Sequence, residues 1–285
     1  MILVPPLTND LHKGQAGRIG IIGGSIEYTG APYFAGITAL KVGADIIHIF
    51  CPQSAAIPIK SYSPEMIVHP LLDVDNALDL IEPWLSRLHV LVIGSGLGRD
   101  RNVLHTVSEL IIMCKKIQKP LVIDADGLFL LTQNMSIIQD YKNVILTPNA
   151  IELFRLIGNS NDKLQASADK LGRSVTILEK ALNDRIYDTS SMLKIECPEG
   201  GSNRRCGGQG DLLAGAVATF FHWALQSTDE SSPGTIACYA ASSLIKSCNK
   251  LAYQKYGRSL TANDMISSIH TVFNENFEHN DIVYD

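Results

Sequence analysis

A cadence of short apolar run, tight turn and helix repeats through the first half of the chain. Residues 18–22 read as a buried strand ending in Gly23-Gly24-Ser25, residues 31–42 as a helix with Gly43 as its C-cap, and residues 46–50 as the next strand. This order predicts a parallel sheet with crossover helices. Later segments repeat it. Residues 52–60 read as a short helix or loop and 66–69 as a small strand, followed by a helix over 75–85 that Pro83 weakens near its end. Strands are predicted at 88–93, 121–123 and 144–147, with helices over 103–116, from 128 onward, and over 151–157. A helix at 164–171 then leads to strands at 175–178, 185–187 and 193–196. With Asn183-Asp184 as a turn signal, these predict an antiparallel edge. Long helices follow at 212–224, 235–253 and 263–276, and residues 277–285 are expected to be loose.

Three successive strands end in Gly94-Ser95-Gly96-Leu97-Gly98-Arg99-Asp100, Asp124-Ala125-Asp126-Gly127 and Pro148-Asn149. Open α/β sheets collect ligands at the carboxyl ends of their strands, so these turns are expected to form one cleft rim. A second glycine-rich stretch runs from Gly200 to Gly215 and holds six glycines, Arg204, Arg205 and one acid, Asp211. Glycines let backbone amides approach a ligand closely, and a helix that starts there adds unpartnered first-turn N–H groups and a favourable dipole for anions. Phosphate is the expected anion. A carboxylate beside phosphate repels it unless it takes a proton or holds a metal, so Asp211 is the candidate catalytic residue.

Bulk properties narrow the class. The chain has 285 residues, 46% apolar and 19% charged, which fits a folded α/β chain read as a single domain over residues 1–285. With 24 basic and 29 acidic residues (net −5) and no extended Lys/Arg block, a nucleic-acid partner or an anionic membrane surface is not expected. The six cysteines show no CxxC and no metal spacing with histidine. No apolar run reaches the roughly 18 residues needed to cross a bilayer. No targeting pattern is visible, and the expected location is cytoplasmic. The pattern leaves homo-oligomerisation open.

Each motif has a plainer alternative. The Gly94 to Gly98 turn lacks the spacing of a dinucleotide fingerprint, and no Walker sequence occurs. Asp124 and Asp126 are candidates for holding Mg²⁺, or Asp126 merely caps the next helix. Asn149 is an N-cap or a cleft contact. Glu152 and Arg155 are spaced to pair on one helix face, Lys180 and Asp184 flank a hairpin turn that suggests a solvated loop, and Cys206 is expected to pack rather than react.

Taken together, Gly207-Gly208-Gln209-Gly210-Asp211, Leu146-Thr147-Pro148-Asn149, Asp124-Ala125-Asp126-Gly127 and the Gly94 to Asp100 turn resemble the ribokinase-like superfamily. Within it they resemble the ATP-dependent NAD(P)H-hydrate dehydratases. The stretch from His12 to Ser25, the stretch from Glu27, the Tyr62-Ser63-Pro64-Glu65 segment and Arg204-Arg205-Cys206 are similar to the family's eukaryotic members, and the resemblance covers residues 8–275. It implies a three-layer α/β/α sandwich with a mostly parallel sheet and an antiparallel edge. The implied activity is ATP-dependent dehydration of (6S)-hydrated NADH or NADPH, with release of ADP and phosphate, with Mg²⁺ as cofactor and functional pairing with an NAD(P)H-hydrate epimerase.

The resemblance places Gly98, Asn149, Ala150, Ile151, Glu152, Leu153, Phe154, Arg155 and Asp211 at the hydrated cofactor. It places Lys180, Ala181, Leu182, Asn183, Asp184, Gly201, Ser202, Asn203, Arg204, Arg205, Cys206, Gly207, Gly208, Gln209 and Gly210 at ATP. No metal ligands are assigned. Two residues depart from the family pattern: Ala181, where glycine is usual, and Ser95, where proline is usual. The expected chemistry is phosphorylation of the C6 hydroxyl, aided by Asp211 and the glycine amides, followed by expulsion of phosphate by the ring nitrogen lone pair. The competing expectations are a kinase of a vitamin-precursor alcohol and a non-catalytic nucleotide sensor.

Overall fold

A computed structural model describes residues 4–10, 12–139, 141–197, 200–227 and 232–278. Nine strands form one sheet: β1 (Arg18–Ile22), β2 (Ile46–Cys51), β3 (Met66–Pro70), β4 (Val90–Ile93), β5 (Leu121–Ile123), β6 (Val144–Leu146), β7 (Val175–Glu179), β8 (Arg185–Asp188) and β9 (Leu193–Glu196). Their spatial order is β3-β2-β1-β4-β5-β6-β7-β8-β9. Every pairing from β3 across to β7 is parallel, and β8 and β9 add an antiparallel edge.

The period of two along each strand builds two cores rather than one. Ile19, Ile21, Val90, Val92, Val122 and Ile145 point to one face, while Ile22, Leu91, Ile93, Leu121, Ile123, Val144 and Leu146 point to the other. Because both faces are buried, the strands read as nearly unbroken apolar runs. The first face is covered by α1 (Gly30–Val42), α2 (Gln53–Tyr62), α8 (Gln209–Gln226), α9 (Pro233–Tyr256) and α10 (Ala262–Asn276). The second is covered by α3 (Ala77–Leu85), α4 (Arg101–Lys116), α5 (Ala125–Gln133), α6 (Ala150–Ile157) and α7 (Lys163–Leu171). Complete burial of each such Ile or Leu is worth about 1.5–3 kcal/mol against exposure.

Residues 52–60, open between helix and loop from the sequence, are resolved as α2, which carries Pro58 inside it. The helix expected from 128 starts at Ala125, whose φ of 46° is a left-handed conformation that propensity does not foresee in alanine. Of the tail expected to be loose, Phe277 packs its ring 5.1 Å from Phe220 and 5.3 Å from Phe273, since an apolar ring gains by joining the core. Residues 279–285 lie outside the described residues.

Candidate active site

Parallel pairing stands the turns after β4, β5, β6 and β7 side by side at one end of the sheet. Backbone bonds stitch them together. Asp124 N donates to Ile93 O (2.9 Å), Thr147 N to Ile123 O (3.1 Å) and Lys180 N to Pro148 O (2.8 Å). The switch in strand order falls between β1 and β4, where Gly24 N donates to Ser95 O (2.9 Å).

Lys180 sits at the centre. Its Nζ lies 2.6 Å from Asp124 Oδ1 and 3.9 Å from Glu152 Oε2, and Asp124, only 2% exposed, also accepts from Thr147 Oγ1 at 2.8 Å. Burial alone would lower the lysine pKa, but Asp124, Glu152 and Asp211 outweigh it and hold the ammonium above its ordinary value. The hairpin residue read as solvated therefore makes a part-buried ion pair with a turn 56 positions away.

Helix α8 points its amino end at this pair. Gly208 stands at the N-cap with φ 86°, and a Cβ there would lie 2.7 Å from the Phe34 ring, so both the backbone and the packing require glycine. No N-cap side chain occupies this helix start, an end that suits an anion. Gly210 is close enough that a Cβ on it would be 3.5 Å from Lys180 Nζ. Asp211, one residue on, has its carboxyl pushed up to about 7, first by burial and then by Asp124, against the opposing effects of the Ser95 hydroxyl and Lys180. Such a carboxyl changes charge near neutrality, as a proton acceptor in catalysis must.

Beside the amides lies a cavity of about 300 Å³ lined by Lys180, Ala181, Leu182, Asp184, Gly201, Ser202, Arg205, Cys206, Gln209 and Gly210 among others. Three residues of α9 that the sequence reading did not single out hold its walls. Ser242 Oγ donates to Asp184 Oδ2 (2.8 Å), and Lys246 pairs with Asp184 at 3.2 Å and donates to Leu182 O. Asn249 accepts from Ser202 N (2.6 Å) and donates to Arg204 O (3.2 Å). Their spacing, four and then three residues apart on one face of the helix, was the available signal.

The residues expected at ATP divide. Arg205 lines the cavity, whereas Arg204 turns its guanidinium to Arg205 O (3.2 Å). Asn183 donates to Glu196 Oε1 (3.2 Å), away from the cavity. Asn203 and Gly207 are not among the residues lining it. Cys206 packs its sulfur 3.9 Å from that of Met265, and burial pushes its thiol up, as befits a packing residue. Ala181 has no positive φ, so alanine fits this loop without backbone strain, and its N–H donates to Asp184 Oδ1 (2.8 Å).

On α6, Asn149 and Glu152 form a reciprocal capping box: Asn149 Oδ1 accepts from Glu152 N (3.0 Å), and Glu152 Oε2 accepts from Asn149 N (2.8 Å). Glu152 thus turns to Asn149 and Lys180 rather than to Arg155. Helical periodicity exposes Ile151 (65%) and Phe154 (57%), with Ala150 also on the surface, but buries Leu153 at 1% in the second core. Within the run from 149 to 155, Leu153 is therefore a core residue beneath the cleft and not a wall of it. Asp126 does not cap α5. It lies inside the first turn, and its Oδ2 accepts from Gly98 N (2.9 Å). Among the described residues no three His, Cys, Asp or Glu side chains gather as a metal cage.

Comparison with known proteins agrees with this geometry. A family model described as NAD(P)H-hydrate dehydratase matches residues 19–271. The chain is 65% identical over 277 residues to the ATP-dependent (S)-NAD(P)H-hydrate dehydratase of Aedes aegypti, covering 97% of this chain and 83% of that protein. It is 47% identical to the human protein of the same name, covering 97% and 83%. In fold it is similar to the ADP/ATP-dependent NAD(P)H-hydrate dehydratase of Bacillus subtilis co-crystallised with ATP and Mg²⁺, with TM-score 0.70, 21% identity, and coverage of 96% and 94%. A Streptococcus mutans protein gives TM-score 0.82 at 23% identity over 97% and 96%. The strand order, the amide-lined helix start and this match over almost the whole length lead to one assignment: the chain belongs to the NAD(P)H-hydrate dehydratase family.

Proposed function

We propose that this chain catalyses the ATP-dependent dehydration of (6S)-hydrated NADH and NADPH, returning the reduced cofactor and releasing ADP and phosphate. The observation that carries the reading is Asp211, a half-buried carboxyl in the first turn of α8 with its pKa pushed up to about 7, beside the uncapped start of the helix and the Lys180–Asp124 pair. Hydroxide is a poor leaving group at neutral pH. In this reading Asp211 takes the proton of the C6 hydroxyl as its oxygen attacks the γ-phosphorus of ATP, and the bond from that phosphorus to the bridging oxygen of ADP breaks. The α8 amides stabilise the charge on the transferring group. The ring nitrogen lone pair then expels the phosphate and C5 loses a proton, restoring the reduced ring.

The cavity between the hairpin after β7 and the loop before α8 is the proposed ATP site, with Lys180 and Arg205 near its phosphates. The exposed side of α6 and the Gly98 turn form the proposed site for the hydrated ring. Asp124 and Glu152 offer hard oxygen donors of the kind Mg²⁺ takes, and the Lys180 ammonium lies between them. When bound with ATP, Mg²⁺ supplies charge neutralisation at the phosphates. Specificity for the S epimer leaves the R epimer untouched, so the proposed partner activity is an epimerase that interconverts them.

The test is incubation of the purified protein with hydrated NADH and ATP, following the near-ultraviolet absorbance of the reduced ring and the phosphate released. One phosphate per ring restored is expected. A stable phosphorylated product with no recovered absorbance would show a small-molecule kinase instead.

A further inference from the structure

Beside the Gly98 turn lies a second cavity of about 100 Å³, lined by Arg99, Asp126, Phe129, Thr132, Glu152 and Arg155 among others. The lining thus holds two arginines and two carboxylates. Each carboxylate there is partly committed. Asp126 accepts from Gly98 N, and Glu152 accepts from Asn149 N and lies near Lys180. The Arg155 side chain makes no hydrogen bond or ion pair among the described residues, although it is an exposed cation on the wall of this cavity.

Arg99 is held in readiness. Its guanidinium stacks 4.0 Å from the Phe129 ring centroid, and its Nε lies 3.7 Å from Asp126 Oδ1. The same Asp126 carboxylate anchors Gly98, so the arginine is fixed relative to the turn proposed to face the hydrated ring. Stacking and the Nε contact leave the terminal nitrogens of a 60% exposed side chain available. A planar fork of donors of this kind recognises phosphate through two parallel hydrogen bonds.

We infer that Arg99 and Arg155 clamp a phosphate of the hydrated dinucleotide, so that the cavity serves as an anchoring subsite for the part of the substrate away from the reacting ring. This rests on the functional reading above. The phosphate is either the pyrophosphate common to both cofactors or the 2′-phosphate that distinguishes NADPH, and both offer the same chemistry to the pair.

Arg99→Gln and Arg155→Gln, with the exposed Arg101→Gln as control, separate the outcomes. In steady-state kinetics each cavity variant is expected to raise KM for hydrated cofactor about tenfold, the loss of one charge-assisted contact, while KM for ATP stays put. Calorimetric titration with NADH and NADPH reads the same contact without turnover. Equal weakening for the two cofactors assigns the pyrophosphate, and weakening confined to NADPH assigns the 2′-phosphate. Unchanged affinity for both in both variants, or a wild type that binds neither, overturns the inference. A wild type that binds through Arg99 yet restores no reduced ring overturns the functional reading and leaves the subsite standing.

Discussion

Asp211 concentrates the proposed chemistry in one carboxyl. Burial and the neighbouring Asp124 resist its ionisation, while Ser95 and Lys180 favour it, and the balance sets its pKa at about 7. A base must be deprotonated to act, so kcat/KM is expected to rise as pH increases through 7 and to level off above it, reporting the free enzyme. Asp211→Asn is expected to lower kcat by about 10²–10⁴-fold and to abolish that limb while ATP still binds. A variant that keeps its rate would assign the proton transfer elsewhere. Asp211 itself was legible in the chain, because an acid next to a glycine-rich helix start is out of place for a phosphate site. Lys180 was not legible in the same way. Its partner Asp124 is remote in sequence, and only the side-by-side order of β5, β6 and β7 brings the two to 2.6 Å.

At the level of elements, α8 is held by how closely it approaches α1. A Cβ added to Gly215 would lie 2.0 Å from Ala35 O, a distance that no side-chain adjustment relieves because the obstacle is backbone. Gly215→Ala is therefore expected to force the two helices apart at a cost of about 1–3 kcal/mol. It would be seen as a lowered Tm and, because α8 carries Asp211, as a reduced kcat. Unchanged stability would mean that the helices can separate freely. Most elements could be placed from apolar periodicity alone, since strands buried on both faces and helices of full length leave strong patterns. The polar face of α9 escaped that reading. Ser242, Lys246 and Asn249 acquire their role only from the loops that fold onto them.

Over the whole molecule, two histidine pairs lie away from the proposed site and bear on acid stability. His48 Nδ1 lies 2.9 Å from His69 Nε2, a bond that requires one unprotonated nitrogen. His89 stacks on His222 with centroids 4.1 Å apart, and its Nδ1 accepts from Arg18 N at 3.2 Å. Burial, followed by the neighbouring histidine, lowers His48 and His89 from 6.5 to about 4, and burial also lowers His69 and His222. The folded protein thus binds these protons less readily than the unfolded chain, so stability is full above 6.5 and declines as pH falls toward 4. Urea unfolding midpoints should drop over that interval, and replacing His48 and His69 together by Leu should flatten part of the decline. An unaltered profile in that double variant would place the acid sensitivity in other groups.

By itself the sequence determined the alternation of strands and helices, the parallel sheet with its antiparallel edge, and the glycine-rich helix start with its acid. These are local patterns: hydrophobic period, turn chemistry and the conformational range of glycine act over a few residues and leave their mark in order along the chain. The tertiary structure alone decided that Lys180 is paired with Asp124, that Leu153 belongs to the core, that Arg205 rather than Arg204 lines the cavity beside α8, and that Arg99 and Arg155 share a cavity. Each of these depends on which remote segments the sheet order and helix packing bring into contact. Charge and burial are properties of the assembled neighbourhood, and no spacing along the chain encodes them.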